Sequence, residues 1–207
     1  MTAGPRIAVL DYGIGNLRSA EKALQHVGAV ARLVTSAADV AAADAVVLPG
    51  VGAFGACARA LRECGLEGPA RTALADGVPF FGVCVGFQLL YEGSQESPGA
   101  QGLGLFAGKV GPLPGGVKHP QMQWNRLEVR GADPPEALRG LGERPWVYFV
   151  HSFAPPVGDE TVAVCDYGGP VAALAARGNL WGAQFHPEKS GTSGLALLAN
   201  FVALAAT

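Results

Sequence analysis

The sequence is poor in charge, in paired cysteines and in long apolar runs, and each shortage removes a class of function. Only 15% of the 207 residues are charged and the formal net charge is -2, while 49% are hydrophobic. That balance describes neither a disordered chain nor a binder of polyanions, so no nucleic-acid partner is expected. The four cysteines, Cys57, Cys64, Cys84 and Cys165, form no CxxC pair and no spacing suited to zinc or to a dense disulfide framework. A reducing compartment with no metal and no cofactor is expected. Met1 runs almost directly into the apolar stretch Ile7 to Leu10 without a charged segment and a long apolar core, so no secretory signal is read. The apolar stretch Gly194 to Ala206 is too short for a bilayer span, which predicts a packed helix and a soluble, cytoplasmic protein without membrane association. Internal repeats and low-complexity tracts are also missing.

What is present is an alternation. RIAVLDY precedes NLRSAEKALQHVG, VARLVT precedes a short segment capped by Ser36, DAVVLPG precedes GAFGACARALREC, and VPFFGV precedes VGFQLLYEG. Short strands that are apolar on both sides, separated by amphipathic helices, predict a parallel sheet covered on both faces. Functional groups then gather at the carboxyl ends of the strands. The stretch Gly93 to Gly116 is rich in Gly and Pro and reads as a long loop bordering the mouth of a site. After it, WNRLEVR, WVYFVHSF, TVAVCDYGG, VAALAAR and LWGAQFH read as consecutive strands, with a hairpin signal in ARGNLWG. A helix starting near Ser190 to Ser193 closes the chain. The length fits one domain over 1–207, a three-layer α/β/α arrangement with a mainly parallel central sheet and an antiparallel or mixed extension from the C-terminal half.

The sharpest local feature is Gly82-Val83-Cys84-Val85-Gly86, where a strand turns into a helix. It matches a nucleophile elbow with Cys in the Ser position: the flanking glycines let the backbone bend and leave the nucleophile open. The positive end of the following helix also favours thiolate. Cysteine catalysis needs a base that can also serve as acid. His26 lies near the end of the first helix, His119 sits in a Gly/Pro-rich loop, and His151 has no carboxylate close behind it. His186, in Gln184-Phe185-His186-Pro187-Glu188, ends an apolar strand. In an extended chain residues two apart face the same side, so Glu188 is placed to orient the ring. A third element, Pro49-Gly50-Val51-Gly52-Ala53-Phe54-Gly55, formally satisfies GxGxxG, but the next strand ends in Cys84 rather than in a ribose-binding acid. Its better use is as a backbone strip whose N–H groups, with that of Val85, face an oxyanion.

GVCVGFQLL together with FHPEKS resembles the class I, triad-type glutamine amidotransferases. DYGIGNLRS at 11–19, PGVGAFG at 49–55, YFVHSF at 148–153 and QFHPEKS at 184–190 narrow the likeness to the glutaminase subunits of imidazole glycerol phosphate synthases, of histidine biosynthesis, over nearly the whole chain. The resemblance implies a triad of Cys84, His186 and Glu188, with Gln88 holding the amino-acid end of glutamine. It implies an oxyanion strip over Pro49 to Gly52 (Gly50, Val51 and Gly52) and substrate contacts around His151 and Ser152. It also implies a heterodimer with a (β/α)8-barrel cyclase that receives the ammonia, with Asn16, Met122, Trp124, Tyr148 and Lys189 near the docking face. Gly50 to Gly52 are expected to reorient on docking, so the free subunit is expected to be nearly inactive. The sequence departs from the family pattern at Val85 and Phe87, where Leu and Met are usual, and at Gln121 and Gln123, where His and Gly are typical. Two alternatives stay open here: a glutaminase serving another synthase (of pyridoxal phosphate, anthranilate or GMP), against which DYGIGNLRS and YFVHSF argue, and a catalytically silent assembly subunit.

Overall fold

In a computed structural model the described residues are 4–131 and 135–207. The first half follows the predicted alternation: β1 (Arg6–Leu10), α1 (Leu17–His26), β2 (Val30–Val34), α2 (Ala37–Ala41), β3 (Ala45–Gly50), α3 (Phe54–Glu63), α4 (Glu67–Ala75), β4 (Phe80–Cys84) and α5 (Val85–Gln88). The second half contributes β5 (Tyr91–Ser94), β6 (Phe106–Pro112), β7 (Gln121–Arg126), β8 (Glu128–Val129), β9 (Trp146–His151), β10 (Phe153–Ala154), β11 (Thr161–Asp166), β12 (Pro170–Arg177), β13 (Leu180–Ala183) and α6 (Gly191–Leu204).

Eight strands form the central sheet in the order β2-β1-β3-β4-β13-β12-β11-β8. The first five are parallel, and β12, β11 and β8 run antiparallel to their neighbours. Helix α1 packs with α6, and α2 and α3 pack with α4, so two helical layers enclose the sheet. This is why β3 and β4 are buried at every position. Phe81, Trp181 and Phe201 interlock at centroid separations of 5.3 to 6.5 Å, which holds α6 over β4 and β13. Each such aromatic contributes on the order of 1.5–3 kcal/mol by leaving water. Ser36 caps α2 as read, its hydroxyl accepting from the Asp39 N–H at 3.2 Å.

Three readings need correction. The stretch Gly93 to Gly116 is not one loop: β6 lies inside it and forms a three-stranded sheet with β5 and β10. Phe106 and Val110 are its buried positions, but intervening glycines hide the period. The helix read in VGFQLLYEG is only four residues long, because Leu89 and Leu90 turn the chain into β5 and their carbonyls accept from Leu103, Leu105 and Phe106. Little dipole accumulates over one turn, so its end adds little to thiolate stability. WNRLEVR and WVYFVHSF do not extend the main sheet either: β7 pairs with β9 in a separate two-stranded ribbon, and only β8 reaches the central sheet. LWGAQFH closes the expected Gly-Asn hairpin, Arg177 opposite Leu180, and β13 inserts beside β4 and runs parallel to it, which makes the extension a mixed one as read. Helix α4, marked by the Glu67–Arg71 pair at 3.0 Å, was not singled out from the sequence.

The elbow glycines are sterically required. A Cβ at Gly86 would stand 1.8 Å from the Leu48 carbonyl oxygen, and one at Gly82 2.7 Å from the Gly86 oxygen. Gly86→Ala is therefore expected to destabilise the protein by about 3 kcal/mol or more, since backbone rather than a flexible side chain must move. Denaturant unfolding measures this, and a loss below about 1 kcal/mol would contradict the packing described.

Candidate active site

Three adjacent parallel strands end at one edge of the sheet. β3 delivers Gly50, paired in register with Cys84 at the end of β4, and Ala183 of β13 pairs with Val83, three residues ahead of His186. The strand-to-helix turn is completed within one residue, so Cys84 takes φ 56° and ψ -112°. It is the one non-glycine with positive φ among the described residues, a conformation that costs on the order of 1–3 kcal/mol and concentrates at functional positions.

Val51, Gly52, Cys84, Val85, Gln88, His151, Ser152 and His186 line one cavity of about 270 Å³, room for a single amino acid. His186 Nδ1 lies 2.9 Å from Glu188 Oε1, both side chains at most 4% exposed. The carboxylate gets there differently from the expectation: residues 187–189 form a 3-10 turn beginning with Pro187, and the turn, not strand alternation, swings Glu188 under the ring. Asn16 Nδ2 donates to the same Oε1 at 3.1 Å. Burial opposes the charge on His186, but hydrogen bonding and charge from Cys84 and Glu188 outweigh it and raise its pKa to about 10. Burial likewise works against the Glu188 carboxylate, yet the bond and charge of His186, with help from Asn16, hold it below the ordinary value. Both shifts describe an imidazolium–carboxylate pair with Nε2 free to exchange a proton.

Cys84 Sγ accepts from Gln184 Nε2 at 3.8 Å, and the His186 ring lines the same cavity as the sulfur. The rival His151 has a different state. Its Nδ1 donates to the Phe153 carbonyl at 3.0 Å, and burial drives its pKa down to about 4, so it is neutral and has no carboxylate behind it. His119 is exposed and bonded to the Pro114 carbonyl, and His26 lies in the last turn of α1.

Two residues, one bonded behind this cavity and one on its wall, escape the sequence reading. Gln184 is fully buried and its Oε1 accepts from Gln88 Nε2 at 3.1 Å, while Gln88 Nε2 also donates to Phe153 O at 2.9 Å. Strand alternation back from His186 was the available signal. Glu96 lines the cavity, its Oε2 accepting from Phe54 N at 2.7 Å, with Ser97 Oγ accepting from Gly55 N. The leading N–H groups of α3, where a dinucleotide phosphate would sit, are thus bonded to the protein's own side chains.

The residues tied by resemblance to docking fall on the β7–β9 ribbon and beside it. Met122 and Trp124 are 62% and 48% exposed, and Trp124 stacks edge-on against Tyr148 at 6.0 Å. Lys189 is exposed, whereas Asn16 is half-buried and spends its amide on Glu188. Of the two departures in β7, Gln121 points inward, its Nε2 3.7 Å from Cys165 Sγ, and Gln123 is exposed. The ribbon is bonded to the turn that carries His186: His186 N donates to Tyr148 O, Tyr148 N donates to Ser190 Oγ, and Ser190 Oγ donates to His186 O.

The chain is similar to several known proteins. A chain named imidazole glycerol phosphate synthase subunit HisH from Deinococcus radiodurans is 52% identical over 204 residues, covering 96% of this chain and 94% of its own length. One of the same name from Salinibacter ruber is 45% identical over 208 residues, with the same two coverages. A crystal structure of a glutamine amidotransferase superposes with TM-score 0.76 at 24% identity, covering 97% of this chain and 99% of that one. The family model for class-I glutamine amidotransferases matches residues 8–205, and with a cysteine elbow and His186 on one cavity and Glu188 bonded to the ring, the chain belongs to the class-I glutamine amidotransferase family.

Proposed function

We propose that this chain is the glutaminase subunit of an imidazole glycerol phosphate synthase, a single glutamine amidotransferase domain acting in the cytoplasm. The observation that carries the chemistry is His186, bonded to Glu188, lining the same cavity as Cys84. The relatives named above supply the client.

Cys84 Sγ attacks the side-chain amide carbon of glutamine, and the carbonyl oxygen becomes an oxyanion facing the N–H groups of Val51 and Val85. As the C–N bond breaks, His186 gives its Nε2 proton to the leaving nitrogen, releasing ammonia and leaving a γ-glutamyl thioester. Water then attacks the thioester while His186 takes its proton. Glutamate departs and the thiolate–imidazolium pair is restored. Glu188 stabilises the ring each time it is charged.

Substrate orientation follows from the bonds already made. Both acceptors of the Gln88 amide N–H groups, Phe153 O and Gln184 Oε1, fix its flip, so Gln88 Oε1 is left to receive the substrate ammonium. The Glu96 carboxylate adds the counter-charge from across the cavity, and the backbone around His151 and Ser152 holds the substrate carboxylate. Gly50 and Gly52 keep the oxyanion strip free of side chains.

The partner is a (β/α)8-barrel cyclase that docks on Met122, Trp124 and Tyr148, flanked by Asn16 and Lys189, and takes up the ammonia. Because Tyr148 is bonded through its backbone to the turn carrying His186, and Asn16 to Glu188, pressure on this face is felt by the triad directly. A pull-down with the cyclase followed by a glutaminase assay tests the assignment. The complex should form, and glutamine turnover should rise by about tenfold or more over that of the free subunit. Equal turnover with and without the cyclase would sink the coupling, and failure to bind it would sink the choice of client.

A further inference from the structure

The oxyanion strip is held by two side chains that no part of the chemistry above uses. Tyr12, 4% exposed, donates its hydroxyl to the Pro49 carbonyl at 2.5 Å. Cys57, fully buried in the first turns of α3, donates its thiol to the Val51 carbonyl at 3.2 Å. These carbonyls bracket the Gly50–Val51 peptide, and among the described residues no side chain bonds that peptide itself. The strip also rests on the elbow: a Cβ at Gly50 would come within 2.6 Å of Gly86 N and 2.9 Å of the Tyr12 hydroxyl. Burial raises the pKa of Tyr12 well above its ordinary value, and burial also raises that of Cys57. Both groups therefore keep their protons, and remain donors, across the working pH range.

We infer that Tyr12 and Cys57 are positioning residues of the oxyanion site, fixing the carbonyls on either side of Gly50–Val51 so that the Val51 N–H is aimed at the substrate oxygen. This rests on the reading of Val51 as an oxyanion donor. Beyond Gly50, which β3 holds opposite Cys84, the strip has little other restraint, since Gly52 has φ 81° and no side chain. With its flanking carbonyls anchored, only the central peptide turns, and it turns about a defined axis. An interaction that strengthens as the oxyanion forms contributes to kcat rather than to KM.

The test uses the complex with the cyclase and the variants Tyr12→Phe, Cys57→Ala and Cys57→Ser. Tyr12→Phe and Cys57→Ala should each lower kcat by about tenfold, short of the loss on deleting an oxyanion donor, with KM within about twofold. Cys57→Ser keeps a donor at the same place and should retain most of the kcat. Thermal unfolding and cyclase binding report any general damage. Wild-type kcat in both Tyr12→Phe and Cys57→Ala would overturn the inference. So would a loss that appears in KM, or one that Cys57→Ser shares, since each describes packing instead of aim. A wild-type complex that fails to hydrolyse glutamine would sink the glutaminase reading itself, which keeps the two failures apart.

Discussion

Replacing Cys84 by alanine should lower glutamine hydrolysis by about 10⁴-fold or more while leaving fold and cyclase binding intact. Among the described residues the sulfur meets only the Gln184 amide at 3.8 Å and the His186 ring, so little structure depends on it. The β7–β9 ribbon lies on other strands. Glycine at the same position gives a second readout. Ala→Gly ordinarily costs about 0.5–1 kcal/mol, but Cys84 sits at φ 56° and ψ -112°, where only glycine is unstrained. Cys84→Gly should therefore be as stable as Cys84→Ala or more stable by about 1 kcal/mol, and equally inactive. Hydrolysis in Cys84→Ala near the wild-type rate would refute the nucleophile, and a normal glycine penalty would refute the strained elbow.

Glu188→Gln should reduce kcat by about 10²- to 10⁴-fold, because the ring then loses both its orientation and the charge that stabilises its protonated form. The same change has a signature in stability. His186 is raised from 6.5 to about 10, so its contribution is fully present below the unfolded value and is lost as pH rises through the folded one. Glu188 is depressed from 4.5, so its contribution is present above that value and is lost as pH falls. The stability gap between wild type and Glu188→Gln should be widest between about pH 5 and 6.5 and should shrink on both sides. Unfolding free energies measured across that range, beside kcat, check both claims. A pH-independent gap with full activity would remove Glu188 from the site.

Much of the site was legible in short stretches. Gly82-Val83-Cys84-Val85-Gly86 announces a sharp turn because both glycines face backbone atoms that tolerate no Cβ. The His186–Glu188 pair was readable from its spacing, although the turn that joins them differs from the extended geometry assumed. The β–α alternation and the Gly-Asn hairpin were equally local. Glu96 and Gln184 were missed for different reasons. Glu96 sits in a stretch whose glycines conceal β6, and Gln184 was overlooked beside a more conspicuous histidine.

Residue order alone determined the parallel half of the sheet, the elbow, the carboxylate behind His186 and the type of chemistry, because each depends on backbone conformation or hydrophobic period within a few neighbouring positions. Only the tertiary structure decided that β13 enters beside β4, that β7 and β9 leave the sheet to form a separate ribbon, and that Tyr12 and Cys57 bond the Pro49 and Val51 carbonyls. Those adjacencies join segments up to about a hundred residues apart. They are selected by the packing free energy of the whole core, to which no local pattern gives access.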